Sequence, residues 1–128
     1  MNLKFIKPKE SASASKLTVQ RTGKLGLSKG AITLLDVESR RYCKFAYEEE
    51  SNEITGKILY MFLCKDSDDE SFSISKAGDY YYIKAKSLLT DLEIDFEDTK
   101  KTVIFDIYPV NYQGEEIYKL KKREIKRK

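Results

Sequence analysis

The sequence predicts an α+β domain, mostly β, made of two tandem strand-turn-strand-helix-strand-strand pseudo-repeats packed as one barrel-like or sheet domain. Three observations carry that expectation. "LTVQRTGKLGLSK" (17–29) and "FSISKAGDYYYIK" (72–84) read as one phrase written twice: Leu17 aligns with Phe72, Val19 with Ile74, Arg21 with Lys76, Gly23 with Gly78, Leu25 with Tyr80 and Leu27 with Tyr82. Apolar residues alternate with polar ones at period two through both phrases, as half-buried strands require. Each phrase is followed by a short apolar run at helical spacing. A unit of four strands and one short helix cannot bury both its faces alone, so two units are expected to close on each other about a pseudo-two-fold axis.

The elements follow in order. Small polar residues in "ESASASK" (10–16) predict that residues 1–15 form a flexible leader, with a single globular domain over 16–120. Repeat 1 spans about 16–65 and repeat 2 about 71–120. Leu17 and Val19, then Leu25 and Leu27, flank "RTGK", which predicts a hairpin with Gly23 at the positive φ of a tight turn. Ser28 stands where a helix needs a cap, ahead of Ile32, Leu34 and Leu35. "RYCKFAYEEE" alternates as a strand, and the denser "KILYMFLCK" (57–65) predicts a strand buried on both faces. The acidic loops "EEESNE" (48–53) and "KDSDDE" (65–70) lack the spacing and central glycine of a calcium loop and read as solvated turns. In the second half "SFSIS" and "DYYYIK" flank the "KAGD" turn, "AKSLLTDLEI" supplies a helix, and "KTVIFDIYPV" and "EEIYKLKKRE" supply strands. Phe105 corresponds to Phe45 in this alignment, and carboxylates alternate with Leu92, Ile94 and Phe96 as an exposed acidic strand or helix end. Residues 121–128 read as a basic C-terminal tail whose start is a lysine-protected strand edge.

Composition then narrows the chemistry. There is no histidine, which removes Ser-His-Asp, Cys-His and His-metal sites, and two cysteines cannot build a structural zinc site. No catalytic residue, metal or cofactor is expected, and the chain reads as a non-enzyme. Cys43 and Cys64 are expected as buried free thiols. No apolar run approaches the ~18 residues of a membrane span, and the N-terminus does not read as a signal peptide, so the expected location is cytoplasmic, away from membranes. The net charge of +3 conceals an asymmetry: +6 over residues 1–30, −9 over 31–118 and +6 over 119–128. An acidic body confines any polyanion contact to the basic ends or to a local patch.

The phrase "RTGKLGLSKGAITLLDV", through Arg21, Gly23, Leu25 and Leu27, resembles the swapped-hairpin AbrB family of DNA-binding domains, with Ser28 where that family often carries proline. The resemblance implies two fused units making within one chain the barrel that such proteins make as a dimer. It also implies DNA binding through basic residues on the hairpin and around the helix: Arg21, Lys24 and Lys29, with Arg40 and Arg41, and Lys76 in the second half. Duplicated sheet-and-helix units are similar, in second place, to Whirly-like and Pur-like single-strand binders. In "YYYIK", Tyr80 and Tyr82 align with core leucines, which leaves Tyr81 as the tyrosine expected to stack on unpaired bases. Lys121, Lys122 and Arg123 in the tail are expected to add salt-sensitive affinity for phosphates. The sequence therefore reads as a nucleic-acid binder, a small DNA-binding regulator or accessory protein, with single- and double-stranded ligands and a homodimer all left open. The alternative is a non-catalytic protein-interaction or assembly module with an exposed sheet edge or apolar patch.

Overall fold

Alternation and turn chemistry produce strands at the expected places, but their pairing makes a different object. In the computed structural model, which describes residues 1–5, 14–48 and 57–126, the order is β1 (Lys16–Val19), β2 (Lys24–Leu27), α1 (Lys29–Leu35), β3 (Tyr42–Ala46), β4 (Ile58–Cys64), β5 (Phe72–Ala77), β6 (Tyr80–Lys84), α2 (Lys86–Asp91), β7 (Lys101–Tyr112) and β8 (Glu115–Lys126). The strands form one closed antiparallel barrel in the order β1-β2-β6-β5-β3-β4-β8-β7, sealed where β7 pairs with β1. Most of the expected leader and of the "EEESNE" loop lies outside the described residues.

The α+β class with two tandem pseudo-repeats is thereby overturned. Local hairpins account for β1·β2, β3·β4, β5·β6 and β7·β8, whereas β1·β7, β2·β6, β3·β5 and β4·β8 all join one half of the chain to the other. Neither half is a unit that could pack against its copy. A four-stranded piece would leave rows of unpaired N–H and C=O groups at its edges, and interleaving the hairpins into one closed sheet removes them. The helices, seven and six residues long, are too short to form a layer. They follow β2 and β6, antiparallel neighbours, so they leave the barrel at opposite ends and turn Ala31 and Leu35, and Leu89, into the core.

The interior is filled by the inward half of each alternation: Leu17, Val19, Leu25, Leu27, Cys43, Leu59, Met61, Ile74, Ile83, Phe105, Ile107 and Leu120 are all buried. β4 is not buried on both faces. Leu59 and Met61 point in, while Ile58 is exposed and Tyr60 and Phe62 lie half-buried on the outside, with Tyr112 edge-on to Phe62. The expected correspondence of Phe45 and Phe105 fails too, for Phe105 is sealed in the core and Phe45 packs half-buried, edge-to-face, against Phe72. Carboxylates after α2 are exposed and alternate with buried Leu92 and Ile94, on turns rather than a strand.

Local chemistry explains the connections. Gly23 has φ +83°, and a Cβ there would come within 2.9 Å of the Lys86 side chain, so the β1–β2 turn needs glycine for conformation and for space. The Ser28 hydroxyl accepts from the Ala31 amide at 3.2 Å and from the Lys16 amide at 3.0 Å, capping α1 and tying it to β1. The basic stretch read as a tail is the outer half of β8, paired with β7 as far as Lys101↔Lys126. Ser28→Ala is expected to cost ~1 kcal/mol, and Leu17→Ala, at the β1–β7 closure, ~2–5 kcal/mol; urea denaturation followed by circular dichroism measures both.

Candidate functional site

The outer face of the β2–β6 seam gathers aromatic rings and cations. Lys24 pairs with Lys84, Leu25 with Ile83 and Gly26 with Tyr82. Because Leu25 and Ile83 point into the core, Lys24, Lys84, Tyr80 and Tyr82 point out. Tyr80 and Tyr82, two apart on β6, stack with ring centroids 5.8 Å apart and planes 22° from parallel. The Lys24 ammonium sits 4.5 Å from the Tyr82 ring centroid. Gly26 makes room for the stack, since a Cβ there would lie 2.5 Å from the Tyr80 hydroxyl. The Gln20 side-chain amide donates to that hydroxyl and holds the ring across the seam.

Arg21 in the β1–β2 turn and Lys86 at the start of α2 flank this platform, joined through Gly23, whose carbonyl accepts from the Ala85 amide at 3.0 Å. Among the described residues, none of Arg21, Lys24, Lys84 and Lys86 has a carboxylate within salt-bridge distance. Four uncompensated cations beside two stacked tyrosines can hold a polyanion that also carries flat apolar groups.

Other sequence-selected residues lie elsewhere. Tyr81 is buried, at 4% exposure, and is not the outward ring. Four residues (20–23) separate β1 from β2, but only Gly78 and Asp79 separate β5 from β6, so aligning the two glycines inverts the face of every residue in β6. Sequence reasoning misses Tyr80, Tyr82, Lys84 and Lys86 for that reason, and turn length is the signal that finds them. Arg41 donates twice to the Ile74 carbonyl, at 3.1 and 3.0 Å, and covers one side of the Tyr81 ring, while the Lys76 ammonium stands 5.6 Å from the same ring. Arg40 donates to the Leu35 carbonyl at 3.1 and 2.7 Å and to the Tyr118 hydroxyl at 3.0 Å, and that hydroxyl donates to the Leu34 carbonyl. Both arginines hold the fold together. Lys29 is exposed at the start of α1, at the opposite end of β2 from Arg21.

Lys121, Lys122 and Arg123 form a second basic surface on β8. Lys121 lies 5.5 Å from the exposed Tyr108 ring, Arg123 pairs with Asp106 at 2.6 Å, and Lys122 faces both Lys57 and the acidic turn at Glu93 and Asp95. The two basic surfaces are separate. Two strands lie between the β2–β6 and β4–β8 seams in either direction around the barrel, β5 and β3 on one side, β1 and β7 on the other.

Groups with shifted acidity sit away from the platform. Burial pushes the Cys43 thiol up to about 12, with a smaller contribution from Cys64, so no thiolate forms at neutral pH. Cys43 is buried as expected, whereas Cys64 is only partly so. The Lys44 ammonium, hydrogen-bonded to Asp68, holds that carboxyl below its usual range and anchors the 65–70 loop to β3. No cluster of metal-ligating side chains occurs among the described residues, and no helix there is long and apolar enough to cross a membrane.

The fold and this surface define a closed eight-stranded antiparallel barrel with a tyrosine-lysine face. Comparison with protein-family models, curated proteins and solved structures yields no match.

Two measurements test this division of labour. Arg40→Ala strips a charge-assisted donor from the end of α1 and is expected to cost ~1–3 kcal/mol, read by denaturation. Asp68, its pKa depressed, contributes stability that is present above the ordinary carboxylate range and lost as pH falls through the lower folded value. An NMR titration should therefore show the Glu70 amide, which donates to Asp68 at 2.9 Å, shifting with a midpoint below the ordinary 3.8.

Proposed function

We propose that this protein binds nucleic acid, as a small non-catalytic DNA-binding regulator or accessory protein, through the outer face of the β2–β6 seam. The observation that carries the reading is the stacked Tyr80–Tyr82 pair with Lys24 over its ring and Lys84 beside it, all outside the barrel and without a paired carboxylate among the described residues. Phosphates are drawn to Arg21, Lys24, Lys84 and Lys86 through counterion release. A base seats on the tyrosine platform by displacing the Lys24 ammonium from the Tyr82 face onto the neighbouring phosphate.

This surface differs from the one the AbrB resemblance implies. It keeps Arg21 and Lys24 but replaces Arg40 and Arg41, whose guanidinium groups are engaged with backbone carbonyls, by the tyrosines and Lys84. The acidic body is compatible with it because the carboxylates concentrate in the 65–70 connection, the turns at 91–98 and the β7–β8 tip. The alternative, a protein-interaction module, draws on Ile58, Tyr108, Tyr112 and Ile125, which are exposed on the far side of the barrel.

The test is fluorescence anisotropy with labelled single- and double-stranded oligonucleotides at low and near-physiological salt. Tyr80→Ala is expected to weaken binding by roughly 5- to 100-fold, the equivalent of the ~1–3 kcal/mol of a base-aromatic stack. Lys24→Ala with Lys84→Ala should flatten the salt dependence on a single strand by about 0.7 for each phosphate that is no longer neutralised. Arg40→Ala should lower stability and leave affinity unchanged. If neither oligonucleotide binds the full chain at low salt, the interaction module takes the place of this reading.

A further inference from the structure

The platform does not use the cations of the β4–β8 seam, and the geometry there has its own cause. β4 begins at Ile58, opposite Lys121, and the Lys122 amide makes the last rung to the Lys57 carbonyl at 2.8 Å. Beyond that point β8 continues to Lys126 with β7 as its only partner. A groove opens where β4 stops, lined by Lys57, Ile58, Lys121, Lys122, Arg123 and Glu124. Its four cations face two carboxylates: Asp106, paired with Arg123, and Glu124, which also pairs with Lys101 at 3.3 Å. The excess is positive. Tyr108, 47% exposed with Lys121 over its ring, gives this groove the same pairing of lysine and tyrosine that marks the platform.

A strand lying on the β2–β6 seam cannot reach this groove without passing half-way round the barrel, across either β1 and β7 or β5 and β3. We propose that the β4–β8 groove is a second, independent phosphate-backbone site, so that one molecule bridges two nucleic-acid segments held on opposite sides of the barrel. The bridging role rests on the platform reading above; the groove itself rests on its own residues. The chemistry it takes is a chain of phosphodiesters, held by Lys121 and Arg123 on the outward face of β8 and by Lys57 across the groove, with Tyr108 offering a ring to an unpaired base.

Native mass spectrometry of the full chain, mixed at low salt with two short oligonucleotides of different mass, tests this directly. The expected complex contains one chain and two oligonucleotides, with mixed occupancy. Lys121→Glu with Arg123→Glu should reduce it to one chain and one oligonucleotide, and so should Lys24→Glu with Lys84→Glu. Because a glutamate beside Asp106 could disturb β8, the Gln versions of the same pair are measured in parallel with circular dichroism as the check on folding. Saturation at one oligonucleotide per chain, or a β8 variant that still carries two, overturns the second site and leaves the platform standing. A bridged species that always holds two chains overturns bridging by the monomer, and a chain that binds no oligonucleotide at all removes both readings.

Discussion

Everything in this molecule depends on the seam that closes the barrel. β1 meets β7 over three residues, Lys16↔Asp106, Leu17↔Phe105 and Thr18↔Ile104, and the Ile107 amide adds a bond to the Ser15 carbonyl at 3.0 Å. Leu17 and Phe105, partners in that register, are both almost completely sealed from solvent. Without this seam the sheet would have two free edges, and its inward row of leucines and isoleucines would face water at both. Closure satisfies the backbone groups and encloses the side chains in one step, so the two requirements cannot be met separately.

Closure also decides what the arginines and lysines are for. Arg40 and Arg41 stand where α1 returns the chain to β3, and each binds a carbonyl that no regular ladder reaches, Leu35 for one and Ile74 for the other. A guanidinium suits that task because its planar fork gives two parallel donors to one acceptor. Lysines are left for the outside, where a long stem lays the ammonium over a neighbouring ring: Lys24 over Tyr82, Lys121 over Tyr108. Both pairs lie beside seams that join the first half of the chain to the second, β2·β6 and β4·β8. The surface chemistry is therefore a product of the same interleaving that closes the sheet.

Local features are legible without the fold. The hairpin at Gly23, the Ser28 cap, the second glycine turn at Gly78 and the strand character of nearly every alternating run depend on residues within a few positions of each other. The site is legible only in part. Arg21 and Lys24 read as surface cations and belong to the platform, whereas the repeat alignment favours Tyr81 over Tyr80 and Tyr82 because it treats two turns of different length as one. A side-chain period of two makes that error total, for one residue of slippage sends each ring to the opposite face.

By itself, then, the sequence determined where strands and turns lie, that no histidine-based chemistry is present, and that positive charge is gathered near the two ends of the chain. Only the tertiary structure decided that the hairpins interleave into one closed barrel, that Arg40 and Arg41 are committed to backbone carbonyls, and that the two basic surfaces lie on opposite sides. The physical reason is one of range. Turn and cap energetics are set by neighbours along the chain, whereas β1·β7 and β4·β8 join residues far apart in sequence, selected by which edges remain unpaired and which apolar faces remain wet when the local hairpins have formed.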